Sequence, residues 1–184
     1  MPFPVILLLD PAAEAAVEAL SRRLVDAGIV SDATRRDVRP HVTLALCAKL
    51  DPSTFTPALQ AFAERTRGCS FTFSSIGVFP TAEGVLFLAP APSRELLDIH
   101  ADLQALLTTQ GLESHAYFQV GAWVPHCTLA MGLRSRDLTA AVGLALDRYQ
   151  PISGVFSAVS LVEFEPIQTL ATFPLQRDEG VVAQ

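Results

Sequence analysis

The chain has 184 residues, of which 50% are hydrophobic and only 17% are charged. This composition supports a large core and excludes an intrinsically disordered chain. The 19 acidic and 13 basic residues give a formal net charge of −6, which argues against extended contact with duplex DNA but leaves room for a short or mononucleotide-sized phosphate substrate. Three cysteines without metal-site spacing predict a cytoplasmic protein without a disulfide framework.

The first half of the chain predicts two helices between three strands. The apolar run from Met1 to Leu9 lacks a basic flank and stops at Asp10, so it predicts a buried strand and neither a signal peptide nor a membrane span. Capping and periodicity signals predict the other elements. These are a helix from Pro11 to near Gly28, a strand Val42–Ala48, a helix opened by Asp51 and Pro52, and a strand Phe71–Phe79.

The second half repeats this order after a turn at Pro80–Gly84. The predicted elements are a strand Val85–Ala89, a helix Arg94–Gln110 capped by Ser93, a strand Cys127–Leu133, a helix capped by Ser135 with Leu138, Val142 and Leu146 facing inward, and strands Val155–Phe164 and Thr169–Leu175. A shift of 85 residues maps Phe71 onto Phe156 and Phe79 onto Phe164. The pattern therefore indicates an internal duplication.

The repeat is clearest in one hexapeptide, because Pro40-His41-Val42-Thr43-Leu44-Ala45 returns as Pro125-His126-Cys127-Thr128-Leu129-Ala130. Side chains two apart in a strand share a face. His41 is therefore expected to project with Thr43, and His126 with Thr128, while apolar side chains such as Leu44 and Leu46 face the other way. Each copy presents one imidazole and one hydroxyl group.

From these patterns we expect an α+β fold, organised as one bilobal domain over residues 1–177. The halves, roughly 1–84 and 85–177, are related by a pseudo-two-fold axis. Each lobe is expected to hold a small antiparallel or mixed β-sheet with helices outside, and the two motif strands are expected to line a central cleft. We further expect a monomer with a loose tail at residues 178–184.

Two histidines flanked by hydroxyl groups suit in-line displacement at phosphorus. Hydrolysis of a cyclic phosphodiester needs a base that deprotonates water and an acid that protonates the departing ribose oxygen. Histidine serves both roles because its unperturbed pKa lies near neutrality. We predict His41 and His126 as this catalytic pair, with Thr43 and Thr128 binding the non-bridging oxygens. The pattern does not distinguish acid from base, and His126 as the base is a working assignment.

These motifs resemble the paired signatures of the 2H phosphoesterase superfamily, and more narrowly those of the 2′-5′ RNA ligases and RNA 2′,3′-cyclic phosphodiesterases. The segments Gly77-Val78-Phe79-Pro80 and Val85–Pro90 are similar to the middle region of that family. The resemblance implies a bilobal α+β fold with the motifs in a central groove. It also implies hydrolysis of 2′,3′-cyclic phosphates of RNA ends or small nucleotides to 2′-phosphates, and in some members reversible 2′-5′ RNA joining.

One position departs from the family. Many relatives similar to the ligases carry an arginine directly after the second Leu-Ala, where this chain has Met131. Arg134 or Arg39 could supply that charge. Arg39 shares its strand parity with His41, and we predict it as a substrate-binding residue. Arg35 and Arg36 are expected to be surface charges.

Several other side chains have two interpretations. The aromatic residues before the second motif, Tyr117, Phe118 and Trp123, could stack a nucleobase or pack in the core. His115 could approach the groove, whereas His100 lies on the apolar side of its helix and is expected to be structural. Cys127 faces opposite to His126, so a catalytic thiol is not expected.

Two alternative functions stay open at this point. The first is a module that binds a nucleotide or an RNA end in the same groove with little turnover. The second is a metal site that uses both histidines. Zinc usually needs a third protein ligand, and no acidic cluster accompanies either motif. We therefore expect neither a metal ion nor another cofactor.

Overall fold

A computed structural model describes residues 2–29, 31, 39–79, 81–147, 149–164 and 167–177. The predicted tail at residues 178–184 lies outside this range. The described strands are β1 (Phe3–Leu9), β2 (His41–Cys47), β3 (Ser70–Phe79), β4 (Val85–Pro90), β5 (Cys127–Ala130), β6 (Ile152–Glu163) and β7 (Gln168–Pro174). The described helices are α1 (Pro11–Asp26), α2 (Pro52–Arg65), α3 (Arg94–Thr109) and α4 (Ser135–Leu146), with a 3-10 turn at Ala116–Phe118. The predicted α+β class is confirmed.

The helices begin where the sequence places caps. The Asp10 carboxylate accepts hydrogen bonds from the N–H groups of Ala12 and Ala13, and the Ser93 hydroxyl accepts one from Leu96. Such caps satisfy N–H groups that have no partner inside the helix. The prediction for α4 is wrong by one residue, because Arg134 occupies the N-cap position and makes no side-chain cap. Leu146, predicted to face inward, is 57% exposed at the end of this helix.

The strands pair in the order β2-β1-β6-β3-β4-β5, with β7 on the other edge of β6, and all these pairs are antiparallel. β6 takes part in both lobes. Its first residues, Ile152–Val155, pair with β3, and its later residues, 156–161, pair with β1. The order β2-β1-β6 is thus mirrored by β5-β4-β3 around the β3–β6 pair.

This order shows how the duplicated halves are joined. The third strand of the first half, β3, lies beside β4 of the second half, and β6 lies beside β1 of the first half. The helices also contact the motif strand of the other half, since α1 contacts β5 and α3 contacts β2. One hydrophobic core runs through both lobes, from Val5 and Leu7 in β1 to Leu86 and Leu88 in β4. Each lobe is therefore built from both halves of the sequence.

The end of β5 is set by a glycine turn. The strand stops at Ala130, three residues before the predicted end, because Gly132 adopts a φ of 75°. The N–H of Gly132 donates to the carbonyl of Glu83 at 2.7 Å, and that of Leu133 donates to Gly84 at 3.3 Å. The turn between β3 and β4 therefore holds the chain that leaves the second motif.

Candidate active site

The two motif strands contact each other although they lie at the two ends of the strand order. β2 belongs to one lobe and β5 to the other. Burial raises the pKa of the Cys127 thiol to about 12, while its contact with the backbone of His41 acts in the opposite direction. Cys127 is thus a packing residue between the motifs and not a nucleophile.

Both motif histidines are held in the same way. Nδ1 of His41 lies 2.7 Å from the carbonyl oxygen of Arg39, and Nδ1 of His126 lies 2.7 Å from that of Val124. A carbonyl oxygen only accepts hydrogen bonds, so each Nδ1 carries the proton and donates it. In the neutral ring Nε2 is then the basic nitrogen. The backbone selects the same tautomer at both positions.

The histidine–threonine site (His41, Thr43, His126 and Thr128) has polar atoms without a protein partner. Within the described part of the chain, neither threonine hydroxyl and neither Nε2 has a hydrogen-bond partner. No fully buried side-chain nitrogen or oxygen among these described residues lacks a partner, so those four atoms are not completely buried. Two imidazoles and two hydroxyl groups are therefore available to a ligand.

Each motif strand carries a register shift at the equivalent residue. Val5 faces Ala45 whereas Ile6 faces Thr43, which leaves Leu44 as the extra residue. In β5, Leu86 faces Ala130 whereas Phe87 faces Thr128, which leaves Leu129 extra. Bulges change the direction of neighbouring side chains and often lie next to active sites. The shift also explains why Leu46 is only half-buried, contrary to the strict alternation that the sequence predicts.

Burial lowers the pKa of both His41 and His126, while the backbone carbonyls that accept from Nδ1 act in the opposite direction. For His41 the positive charge of His126 lowers the pKa further. The two rings are therefore near enough to influence each other's protonation. The neutral forms of both rings are favoured near neutrality.

The surroundings of the two rings differ. Phe79 lies edge-on to His126 with a centroid distance of 4.8 Å, and Phe87 lies 5.4 Å from it. Gly77 makes room for this arrangement, because a Cβ at that position would overlap the Phe87 ring. On the other side, Leu8 faces His41 across the β1–β2 pair. The family resemblance includes the segments that contain Phe79 and Phe87, but no local pattern places these two rings beside His126.

The structure brings Arg39 to a carboxylate. Nε of Arg39 donates to Oε1 of Glu14 at 2.7 Å, and an Nη group donates to Oε2, so the ion pair is bidentate. Glu14 comes from the first turn of α1. Arg134 likewise pairs with Asp137 at 3.0 Å. Both arginines that could replace the family arginine absent at Met131, Arg39 and Arg134, therefore form ion pairs with acidic side chains.

Met131 is held through its backbone. Its N–H donates to the Ser31 hydroxyl at 2.8 Å, and that hydroxyl donates to the Met131 carbonyl at 3.1 Å. Ser31 is only 2% exposed. Arg35 and Arg36, which follow it in the sequence, lie outside the described residues.

The aromatic residues before the second motif separate into two groups. Tyr117 is 75% exposed, and the His115 ring lies 5.0 Å from it. Trp123 instead stacks on His100 with a centroid distance of 4.0 Å and an interplanar angle of 6°. His100 is 3% exposed and hydrogen-bonds to the Phe118 carbonyl, which confirms its structural role.

Three further observations concern metal ions, surface depressions and membrane helices. Among residues in the described ranges, no group of three or more His, Cys, Asp or Glu side chains is arranged to hold a metal ion. A surface depression lined by residues 48–51, Phe3 and Leu112 lies at the far end of β2 from His41 and contains neither motif histidine. No helix in the described ranges combines the length and apolar character that a membrane crossing requires.

The sequence matches a known family over most of its length. The family described as the 2′-5′ RNA ligase superfamily matches residues 8–166, which include both motifs. No curated protein sequence matches the chain significantly.

Solved structures share the fold at low sequence identity. The protein TT0787 of Thermus thermophilus has 17% identity and a TM-score of 0.63, with 97% of this chain and 100% of that chain covered. E. coli LigT complexed with 3′-AMP has 17% identity and a TM-score of 0.59, with 96% and 99% covered. Usb1 of Kluyveromyces marxianus has 15% identity and a TM-score of 0.53, with 95% and 98% covered.

Proposed function

The chain belongs to the 2′-5′ RNA ligase superfamily, and on that premise we propose that it hydrolyses 2′,3′-cyclic phosphates of RNA ends or small nucleotides to 2′-phosphates without a metal ion. Membership of this family supports phosphoesterase- or ligase-type activity. The observation that carries the specific proposal is the duplicated arrangement of His41 and His126, in which each Nδ1 donates to a carbonyl and each Nε2 has no hydrogen-bond partner among the described residues.

In this reaction one Nε2 takes a proton from water as the oxygen attacks phosphorus. The bond between phosphorus and the 3′ oxygen breaks, and the second histidine, protonated at the start, donates its Nε2 proton to that leaving oxygen. The product is a 2′-phosphate with a free 3′ hydroxyl group, and the two histidines exchange protonation states. Placing the two rings in separate lobes suits this chemistry, because attack and departure occur on opposite sides of phosphorus.

The threonine hydroxyls bind the phosphoryl group. Thr43 and Thr128 lie two residues after each histidine on the same face of their strands, and neither hydroxyl group has a hydrogen-bond partner among the described residues. We assign them to the non-bridging oxygens, where negative charge grows in the transition state. Placing these donors in advance avoids reorganisation during the reaction.

Arg39 is already paired with a carboxylate. Its guanidinium binds Glu14, whose side chain is 14% exposed, while that of Arg39 is 55% exposed. The ion pair uses two of the five guanidinium N–H donors, so the remaining donors can contact a phosphate while the pair stays closed. We place the primary phosphate contacts on the two threonines and keep Arg39 as a secondary ligand.

The test is phosphorus NMR of a 2′,3′-cyclic nucleotide incubated with the protein in excess chelator. The proposal predicts loss of the cyclic phosphate signal and appearance of a 2′-phosphate monoester. A 3′-phosphate product, or dependence of the rate on an added metal ion, would contradict it. Saturable binding of a 2′-phosphate with no hydrolysis would favour the binding-module alternative. Joining of RNA ends is the same displacement with a 5′ hydroxyl group in place of water as the nucleophile, and it can be assayed with the same protein.

A further inference from the structure

The segment Ser114–Trp123 covers the outer edge of β2 before the chain enters the second motif. Ser114 forms an isolated antiparallel bridge with Cys47. The N–H of His115 donates to the Leu46 carbonyl at 2.8 Å, and the N–H of Leu46 donates to the Ser114 hydroxyl at 3.1 Å. The approach to His126 is therefore attached along the strand that carries His41.

Trp123 attaches the end of this segment to the first motif itself. Its indole N–H donates to the Thr43 carbonyl at 2.9 Å. The ring stacks on His100 of α3, and Nε2 of His100 hydrogen-bonds to the Phe118 carbonyl at 2.8 Å. His100 of α3 therefore packs against the face of the indole, and Thr43 of β2 accepts the hydrogen bond from its N–H.

The residue after Trp123 reaches the second motif. The Val124 carbonyl accepts the hydrogen bond from Nδ1 of His126. One peptide bond therefore separates Trp123, whose indole binds the Thr43 carbonyl, from Val124, whose carbonyl orients His126.

We propose that Trp123 is a positioning residue whose indole N–H fixes the second motif against the first and so sets the spacing of His41 and His126. This inference rests on the proposed function, because the spacing matters only if both imidazoles act on one phosphorus atom. A misplacement of about 1 Å can cost about a hundredfold in rate. Loss of this hydrogen bond should therefore lower kcat more than it changes substrate binding.

The experiment compares W123F with a matched control. W123F keeps a ring beside His100 and removes the donor to Thr43. The control is Q104M, because Nε2 of Gln104 donates to the adjacent β2 carbonyl, that of Leu44, at 3.0 Å. Both variants remove one side-chain hydrogen bond to a β2 carbonyl, but only W123F removes the bond that connects β2 to the segment leading into the second motif. We expect kcat to fall at least about tenfold in W123F with KM changed less than about twofold, and Q104M to stay within about twofold of wild type.

A second replacement covers the case in which W123F does not fold. The chain contains one tryptophan, so global replacement of tryptophan by benzothienylalanine changes position 123 alone. This analogue keeps the shape of the indole and has sulfur in place of the N–H. It should reproduce the fall in kcat.

A titration separates failure of this inference from failure of the proposed function. Burial and then the charge on His126 lower the pKa of His41, and H126Q gives the value without that charge. If Trp123 sets the spacing, the pKa of His41 in W123F, measured by NMR, moves towards its value in H126Q. Should the wild type hydrolyse no cyclic nucleotide, the proposed function fails while this readout still decides the role of Trp123. Wild-type kcat in W123F, an equal loss of kcat in Q104M, or an unchanged His41 titration would overturn the inference.

Discussion

At the level of single residues, each motif histidine uses its backbone-facing nitrogen to fix the tautomer and leaves the other nitrogen for chemistry. The hydrogen bonds from His41 and His126 both measure 2.7 Å and both run to the carbonyl two residues earlier. Burial keeps both pKa values below the ordinary histidine value of 6.5. The charge on His126 also lowers the pKa of His41, so protonation of one ring disfavours protonation of the other.

These pKa directions predict the pH dependence of the reaction. At low pH the catalytic base gains a proton, and at high pH the catalytic acid loses one, so kcat/KM follows a bell-shaped curve. Because both pKa values are lowered in the free protein, the maximum should lie on the acidic side of 6.5. The measurement is kcat/KM for a 2′,3′-cyclic nucleotide across the acidic and neutral range. A flat profile, or a maximum above the ordinary histidine pKa, disagrees with this account.

The sequence predicts the shared face of His41 and Thr43 because strand alternation is a local property of the backbone. The same reasoning predicts Arg39 as a substrate-binding residue, but it does not predict the ion pair with Glu14. A long arginine side chain takes its partner from whatever carboxylate the fold supplies, and Glu14 reaches it from α1, 25 residues away in sequence. The alternation of side chains along a strand does not indicate which carboxylate Arg39 will bind.

At the level of elements, the two motif strands share a bulge and differ in how they end. The turn at residues 81–84 contacts the chain after β5, with hydrogen bonds from Gly132 to Glu83 and from Leu133 to Gly84. Gly84 has a φ of 53°, and a Cβ there would overlap the carbonyl oxygen of Leu133. Glycine is thus required both by conformation and by close approach.

This contact predicts different costs for two glycine substitutions. Gly84→Ala meets both the left-handed backbone penalty and the overlap with Leu133. Gly111 has a φ of 68° with no atom within 4 Å of a Cβ, so Gly111→Ala meets only the backbone penalty. We expect Gly111→Ala to lower the free energy of unfolding by about 1–2 kcal/mol, and Gly84→Ala by a further 1–3 kcal/mol, roughly. Urea denaturation of both variants measures the difference, and equal losses would refute the close contact.

The elements themselves were largely readable from the sequence, since proline and carboxylate caps, apolar stripes and glycine stops are local signals. The bulges at Leu44 and Leu129 could not be predicted from the sequence, because an extra apolar residue leaves the apolar run unbroken. The early end of β5 was also missed. It depends on hydrogen bonds from Gly132 and Leu133 to the distant turn between β3 and β4, which no local pattern records.

At the level of the whole molecule, the exchange of β3 and β6 joins the two halves of the duplication. Neither half contains the three-stranded unit to which its motif strand belongs, since β2-β1 is completed by β6 and β5-β4 by β3. The same hydrophobic pattern would satisfy pairing within each half, so the sequence indicates the duplication without choosing between the two arrangements. The choice follows from the packing of both halves into one core.

The exchange predicts a single unfolding transition. Trp123, the one tryptophan, contacts α3 and β2 and reports on that part of the molecule by fluorescence. Far-ultraviolet circular dichroism reports on all helices and strands. Because neither lobe can keep its sheet when the other unfolds, the two urea transitions should coincide. Separate midpoints would mean that the lobes unfold independently.

The most direct test of the account is turnover of a 2′,3′-cyclic nucleotide, in excess chelator, by wild type, H41Q, H126Q and the double variant, each checked for native circular dichroism. Loss of a positioned acid or base costs about 10²–10⁴ in rate, so both single variants should fall by that amount. The turnover rate of the double variant should be little below that of the less active single variant, because the effects of groups that act as a unit are not additive. Wild-type turnover by either single variant would contradict the assignment of His41 and His126 as one acid–base pair.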